Sequence, residues 1–284
     1  MRHRLACLAL LTLARAAQAL PAPEALSIPT AGLSSAPAPL RAWLFRATTP
    51  GPHPAVVMLH GCGGAITASG QLNARHRMWG EFLAENGYDA LMLDSFAARG
   101  IRELCTQKMA ERTLKEADRR GDAHAALAWL QQQSGVIPDR IALLGWSHGG
   151  GVVLDTVSHP NPVTPGFRAA IAFYPGCSAR ARSPERFHPA APLLLLIGEA
   201  DDWTPAAPCL ALGRDVAARG EPMRVIGYPG AYHDFDNPAL KSPRLRTEVP
   251  NGVNPGKGTT VAPDPAARED AKRQVLRFLE EVLQ

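Results

Sequence analysis

Apolar residues in this chain alternate between two patterns. Some form short, nearly continuous runs, and others recur every three or four positions. Residues 55–59, 88–93, 140–144 and 192–197 are short, mostly apolar runs, the pattern of strands buried on both faces. Strands are also predicted over residues 41–47, 168–174 and 223–228. Helical spacing appears over residues 75–85, where Met78, Trp79, Phe82 and Leu83 share a face. It recurs over 149–158, 205–219 and 266–283. Residues 107–133 read as one long charge-rich helix or two, with Ala125, Leu127, Trp129 and Leu130 inward. Strands alternating with helices predict a mostly parallel sheet covered on both faces. Ligands of such sheets bind at the carboxyl ends of the strands. Residues 237–265, rich in Pro, Gly, Asn, Thr and Lys, are predicted to lack regular structure; so long a segment is often functional or mobile.

The first residues stand apart. Arg2 and Arg4 precede a mostly apolar run from Leu5 to Leu13, and Ala17-Gln18-Ala19 follows. This is the pattern of a secretory signal peptide, too short to span a bilayer as a mature helix. Residues 1–19 are therefore expected to be a cleaved signal, 20–40 a proline-rich arm, and 41–284 one α/β domain. The expected location is periplasmic or secreted, without membrane attachment after cleavage. The chain has 284 residues, with 30 Lys+Arg against 26 Asp+Glu. Arg2, Arg4 and Arg15 leave with the signal, which removes most of the excess. No basic stripe then points to nucleic acid. Oligomeric state has no signature in the sequence.

Cys62, Cys105, Cys177 and Cys209 remain after the signal. An even count in an exported chain favours disulfides. No C-x-x-C spacing suggests a metal, and none is expected. Three pairings are open. Cys62–Cys105 and Cys177–Cys209 are preferred, because each pair lies in loops leaving the same end of the sheet.

The chemistry concentrates around Gly145-Trp146-Ser147-His148-Gly149. An apolar strand precedes this G-x-S-x-G and a glycine-rich helical start follows, the context of a nucleophile elbow. A serine hydroxyl needs a base, and the base needs a carboxylate to orient it. In this architecture the chain order is serine, acid, histidine. Asp201 follows the 192–197 strand by a glycine turn, with Asp202 as its rival and Glu199 behind both. His233 follows the last strand; the other histidines fail on order or position. Two backbone N–H groups must hold the oxyanion. His148 supplies one, and Cys62 of His60-Gly61-Cys62-Gly63-Gly64 the other. The His60 ring is expected to brace that loop. Arg99 and Trp146 are candidate substrate contacts, although a structural ion pair is the plainer reading of Arg99.

Together these residues resemble the dienelactone hydrolase family of α/β-hydrolases. The resemblance rests on residues 60–64, Asp94-Ser95-Phe96 with Arg99-Gly100, the elbow, residues 198–205, and His233-Asp234-Phe235. It covers roughly residues 41–283. It implies an α/β-hydrolase fold and an ester or lactone hydrolase that uses no cofactor and takes a small-molecule ester. The family's namesake has a cysteine nucleophile where this chain has Ser147, and similar exported members look like esterases. The expectation is an acyl-enzyme mechanism run by Ser147, His233 and Asp201. Amide or peptide cleavage by the same residues and a non-catalytic binding protein of this fold are the alternatives.

Overall fold

A computed structural model describes residues 21–30, 32–160 and 166–283. Residues 1–19, expected to be a signal peptide, lie outside the described residues. An eight-stranded sheet forms the centre. Its strands are β1 (Glu24–Ile28), β2 (Leu40–Phe45), β3 (His53–Leu59), β4 (Asp89–Asp94), β5 (Val136–Trp146), β6 (Ala169–Phe173), β7 (Leu193–Gly198) and β8 (Met223–Tyr228). The spatial order is β1-β2-β4-β3-β5-β6-β7-β8. The β1–β2 and β2–β4 pairs are antiparallel, and every pair from β4 through β8 is parallel. Residues 55–59, 89–94, 141–146 and 193–198 are buried throughout. That explains their largely apolar runs, since both faces of a parallel sheet are covered.

Strand order reverses at β3, whose neighbours are β4 and β5. Right-handed crossovers then send the helix after β3 to one face and those after β4, β5 and β7 to the other. The helices are α1 (Ala74–Glu85), α2 (Glu116–Gln131), α3 (His148–Ser158), the short α4 (Ser178–Ala181), α5 (Ala206–Ala218) and α6 (Pro265–Leu283). Lys272 of α6 reaches the Phe82 ring of α1, joining these two on one face. Loops from the carboxyl ends of β3 and β5 meet at the reversal, where open α/β sheets place their ligands. No helix among the described residues is long and apolar enough to cross a membrane.

Three regions differ from the expectation. The proline-rich arm contains β1, an edge strand that caps β2. The helix predicted over 107–133 begins only at Glu116; residues 107–115 are mostly irregular, with one 3-10 turn at Met109–Glu111. Residues 237–265 are ordered by a two-stranded ribbon of β9 (Arg244–Arg246) and β10 (Thr259–Val261). This segment returns to the sheet through a parallel bridge between Val261 and His233.

Candidate active site

Ser147 stands between β5 and α3 at φ 52° and ψ −114°. A non-glycine residue rarely adopts positive φ, and here the strand-to-helix turn imposes it. The turn depends on its flanking glycines. A Cβ on Gly145 would come within 2.3 Å of the Gly149 carbonyl oxygen, and one on Gly149 within 2.2 Å of that of Leu59. The Ser147 N–H donates to the Phe173 carbonyl at 2.9 Å, tying the elbow to β6.

Asp201 and Asp202 are adjacent and do different work. Asp201 Oδ1 accepts from the Trp203 and Thr204 amides, both at 2.8 Å. Its Oδ2 accepts from His233 Nδ1 at 2.7 Å. Asp202 turns away and binds Thr260, accepting from its N–H at 2.7 Å and from its hydroxyl at 2.9 Å. Asp202 therefore anchors β10, the strand that bridges back to His233.

The His233 ring lies between Tyr174 and Trp203, with centroids at 4.5 and 4.7 Å. Burial pulls its pKa down, but the Asp201 and Asp234 carboxylates outweigh this and hold it above the ordinary 6.5. Its Nε2 is buried without a hydrogen-bond partner among the described residues. The Ser147–His233 hydrogen bond is thus not formed in this structure. Bonds of this kind are often long in unliganded sites and tighten with substrate.

Behind His233 lies a buried network that the sequence reading missed. Asp234, at φ 62°, pairs with Arg75 of α1. Arg75 also donates to the Tyr174 hydroxyl at 2.8 Å. Asp236, fully buried, accepts from Trp79 at 2.8 Å, Trp146 at 2.9 Å and Tyr174 at 2.5 Å. Trp146 is consequently a buried strut and not a substrate contact. Arg99 is committed as well. It forms a two-pronged pair with Asp122 at 2.8 and 2.9 Å and donates to the Ser95 carbonyl. It contributes nothing to the cleft.

A cleft of about 630 Å³ opens over Ser147. Cys62, His148, Trp203, Thr204, Arg112, Leu114, Arg180 and Asn251 are among the residues that line it. Gly61 brings its loop against the elbow, since a Cβ there would lie 3.4 Å from Ser147 Cβ. The backbone N–H groups of Cys62 and His148 have no acceptor among the described residues. His60 Nδ1 lies 2.8 Å from the Gly61 carbonyl, and its Nε2 accepts from the Ser95 N–H at 3.2 Å, which braces the loop. Disulfides join Cys62 to Cys105 and Cys177 to Cys209. Asn251 bridges the 107–109 loop, accepting from the Met109 amide and donating to the Gln107 carbonyl. Arg112, 8% exposed, makes no ion pair among the described residues, and its Nε is unsatisfied. No cluster of metal-ligating side chains occurs among the described residues.

The sequence profile of the Dienelactone hydrolase family matches residues 40–283. The chain belongs to that family. Among solved structures, it resembles a putative dienelactone hydrolase from Klebsiella pneumoniae. That match has a TM-score of 0.69 and 17% identity, covering 91% of this chain and 98% of the other. Thermogutta terrifontis esterase 2, in a form phosphorylated by paraoxon, gives a TM-score of 0.66 and 21% identity over 94% and 97%. Curated relatives match over shorter stretches. Quorum-quenching protein AidA of Acinetobacter baumannii is 31% identical over 143 residues, 47% of this chain and 43% of its own. A probable 2-oxo-3-(5-oxofuran-2-ylidene)propanoate lactonase of a Bradyrhizobium species is 24% identical over 164 residues, 54% and 64% respectively. The chain thus spans less than two thirds of these relatives' lengths.

The missed residues did leave a trace in the sequence. On α2 the buried side chains include Arg119, Asp122, Ala123, Ala126, Leu127 and Leu130. Arg119 and Asp122 are in phase with the apolar stripe. On α1, Arg75 and His76 likewise continue the stripe of Trp79 and Leu83. A charge on the inward face of an amphipathic helix is a buried, partnered charge.

Proposed function

We propose that this protein is an exported serine hydrolase of carboxylic esters or lactones. Ser147 attacks the acyl carbon. His233 takes its proton and then delivers it to the leaving alcohol, while Asp201 fixes the ring with Nε2 toward the serine. The amides of Cys62 and His148 hold the oxyanion, and water releases the acyl group. The observation that carries this reading is the buried Asp201–His233 pair at 2.7 Å, taken with a serine in a strained elbow. Two unclaimed amides at the same cleft support it, because an oxyanion hole must offer free donors.

Family membership supports the substrate class. The Bradyrhizobium relative's name describes a lactone that carries a propanoate. Arg112, a buried cation of the cleft that makes no direct ion pair among the described residues, suits an anionic acyl group of that kind. Two disulfides favour an oxidising compartment and hence export. A fluorophosphonate probe should label the purified protein at Ser147, and Ser147→Ala should abolish both labelling and p-nitrophenyl ester turnover. Turnover retained in Ser147→Ala would refute the reading.

A further inference from the structure

Ser147 has a second histidine beside it, and its ring is held from behind. Arg119 of α2 is fully buried. One guanidinium nitrogen lies 2.8 Å from His148 Nδ1, and the other donates to the His60 carbonyl at 2.9 Å. The Phe96 ring lies 5.3 Å from the cation. A guanidinium has no acceptor atom, so His148 Nδ1 accepts and the ring proton resides on Nε2. That nitrogen meets no partner among the described residues and is not sealed from solvent. The residue lines the cleft over Ser147.

The sheet topology says which part of a substrate this donor faces. His233 follows β8, and the leaving alcohol must lie near it to receive its proton. His148 faces α2, on the β3 side of Ser147, away from β8. The side remote from His233 takes the acyl portion. We propose that His148 Nε2–H is a specificity-determining donor to an uncharged oxygen on the acyl group, close to the scissile carbonyl. Arg119 is the positioning residue that fixes its tautomer. The preferred substrates are then esters whose acyl chain carries an ether, hydroxyl or carbonyl oxygen within one histidine side-chain length of the oxyanion. This inference rests on the hydrolase reading given above.

An isosteric pair of esters tests it. p-Nitrophenyl methoxyacetate and p-nitrophenyl butyrate differ by one oxygen in place of a methylene. The kcat/KM ratio of the two, divided by the ratio of their hydroxide-catalysed rates, isolates recognition of that oxygen. Wild type is expected to favour methoxyacetate by roughly 5- to 10-fold. His148→Leu should bring the corrected ratio to about one, and His148→Gln, which keeps a donor in place of Nε2, should preserve it. An unchanged ratio in His148→Leu, or equal loss in both variants, overturns the proposal. Two-bond proton–nitrogen spectra of the wild-type protein should show His148 with Nδ1 bare and Nε2 protonated. Arg119→Met should populate the other tautomer and lower the corrected ratio. A wild-type ring protonated at Nδ1 overturns the proposal even if that variant does not fold. If wild type hydrolyses neither ester and takes no fluorophosphonate, the hydrolase reading itself fails. A flat ratio in an active enzyme removes only the role given to His148.

Discussion

Two buried histidines, His233 and His148, differ in what lies behind each ring. His233 has carboxylates behind it, Asp201 and Asp234, and its pKa rises. His148 is buried with Arg119 and Arg112 around it, and its pKa falls well below 6.5. The first ring is the more basic of the two, and the second stays neutral. Both are buried imidazoles, so residue type alone does not separate them; the charge of the supporting residues does.

The largest break in this comparison comes from removing each ring in turn. His233→Ala, or Asp201→Asn, which leaves the geometry but loses the tautomer, should lower kcat by roughly 10⁴-fold. Loss of the His148 ring should cost far less on a plain alkyl ester. Equal losses in His233→Ala and His148→Ala would mean that the assignment of the base is wrong.

Stability against pH offers a second test, with opposite signs for the two rings. His148, His60 and His76 are buried and resist protonation, His76 down to about 3. The unfolded chain binds protons at these sites below about 6.5, so stability is lost as pH falls from there. Each site adds about 1.4 kcal/mol per pH unit until its own folded pKa is reached. His233 works the other way: its contribution is full below 6.5 and is lost as pH rises through its raised folded value. Urea unfolding from pH 7 to 5 should show stability falling, and His148→Gln should flatten the slope. A slope unchanged in that variant would show that His148 titrates normally.

The smallest expected effect is the finest test. The raised pKa of His233 predicts that kcat/KM is half-maximal on its acid side above pH 6.5. Asp234→Asn removes one of the carboxylates that raise it, so this limb should move to lower pH, by less than one unit. A limb that moves upward would contradict the electrostatic account.

What the sequence revealed follows from locality. The elbow, the Asp201 turn and the loop of His233 each combine a strand end with a few adjacent residues, so pattern and spacing located them. Strand β1 escaped because an edge strand in a proline-rich arm is defined by its partner β2 and not by its own five residues. The ribbon within residues 237–265 escaped for a related reason. Asp202 holds Thr260 across a sequence separation of 58, and no local signal encodes that bond. The helix start at Glu116 was misjudged because residues 107–115 are polar enough to pass for a solvated helix face, whereas they roof the cleft. Arg75 and Arg119 are charges that look solvated until the helical phase is checked against neighbouring apolar positions.

A carboxamide helps fasten the rim of the cleft over Ser147. Asn251 grips the 107–109 stretch through two hydrogen bonds, which span 142 and 144 residues of sequence, and neither partner segment contributes to the central sheet. Variation at this one fastening can therefore widen or narrow what enters the catalytic chamber while the elbow and its bracing stay intact. Engineering for bulkier acyl chains begins there.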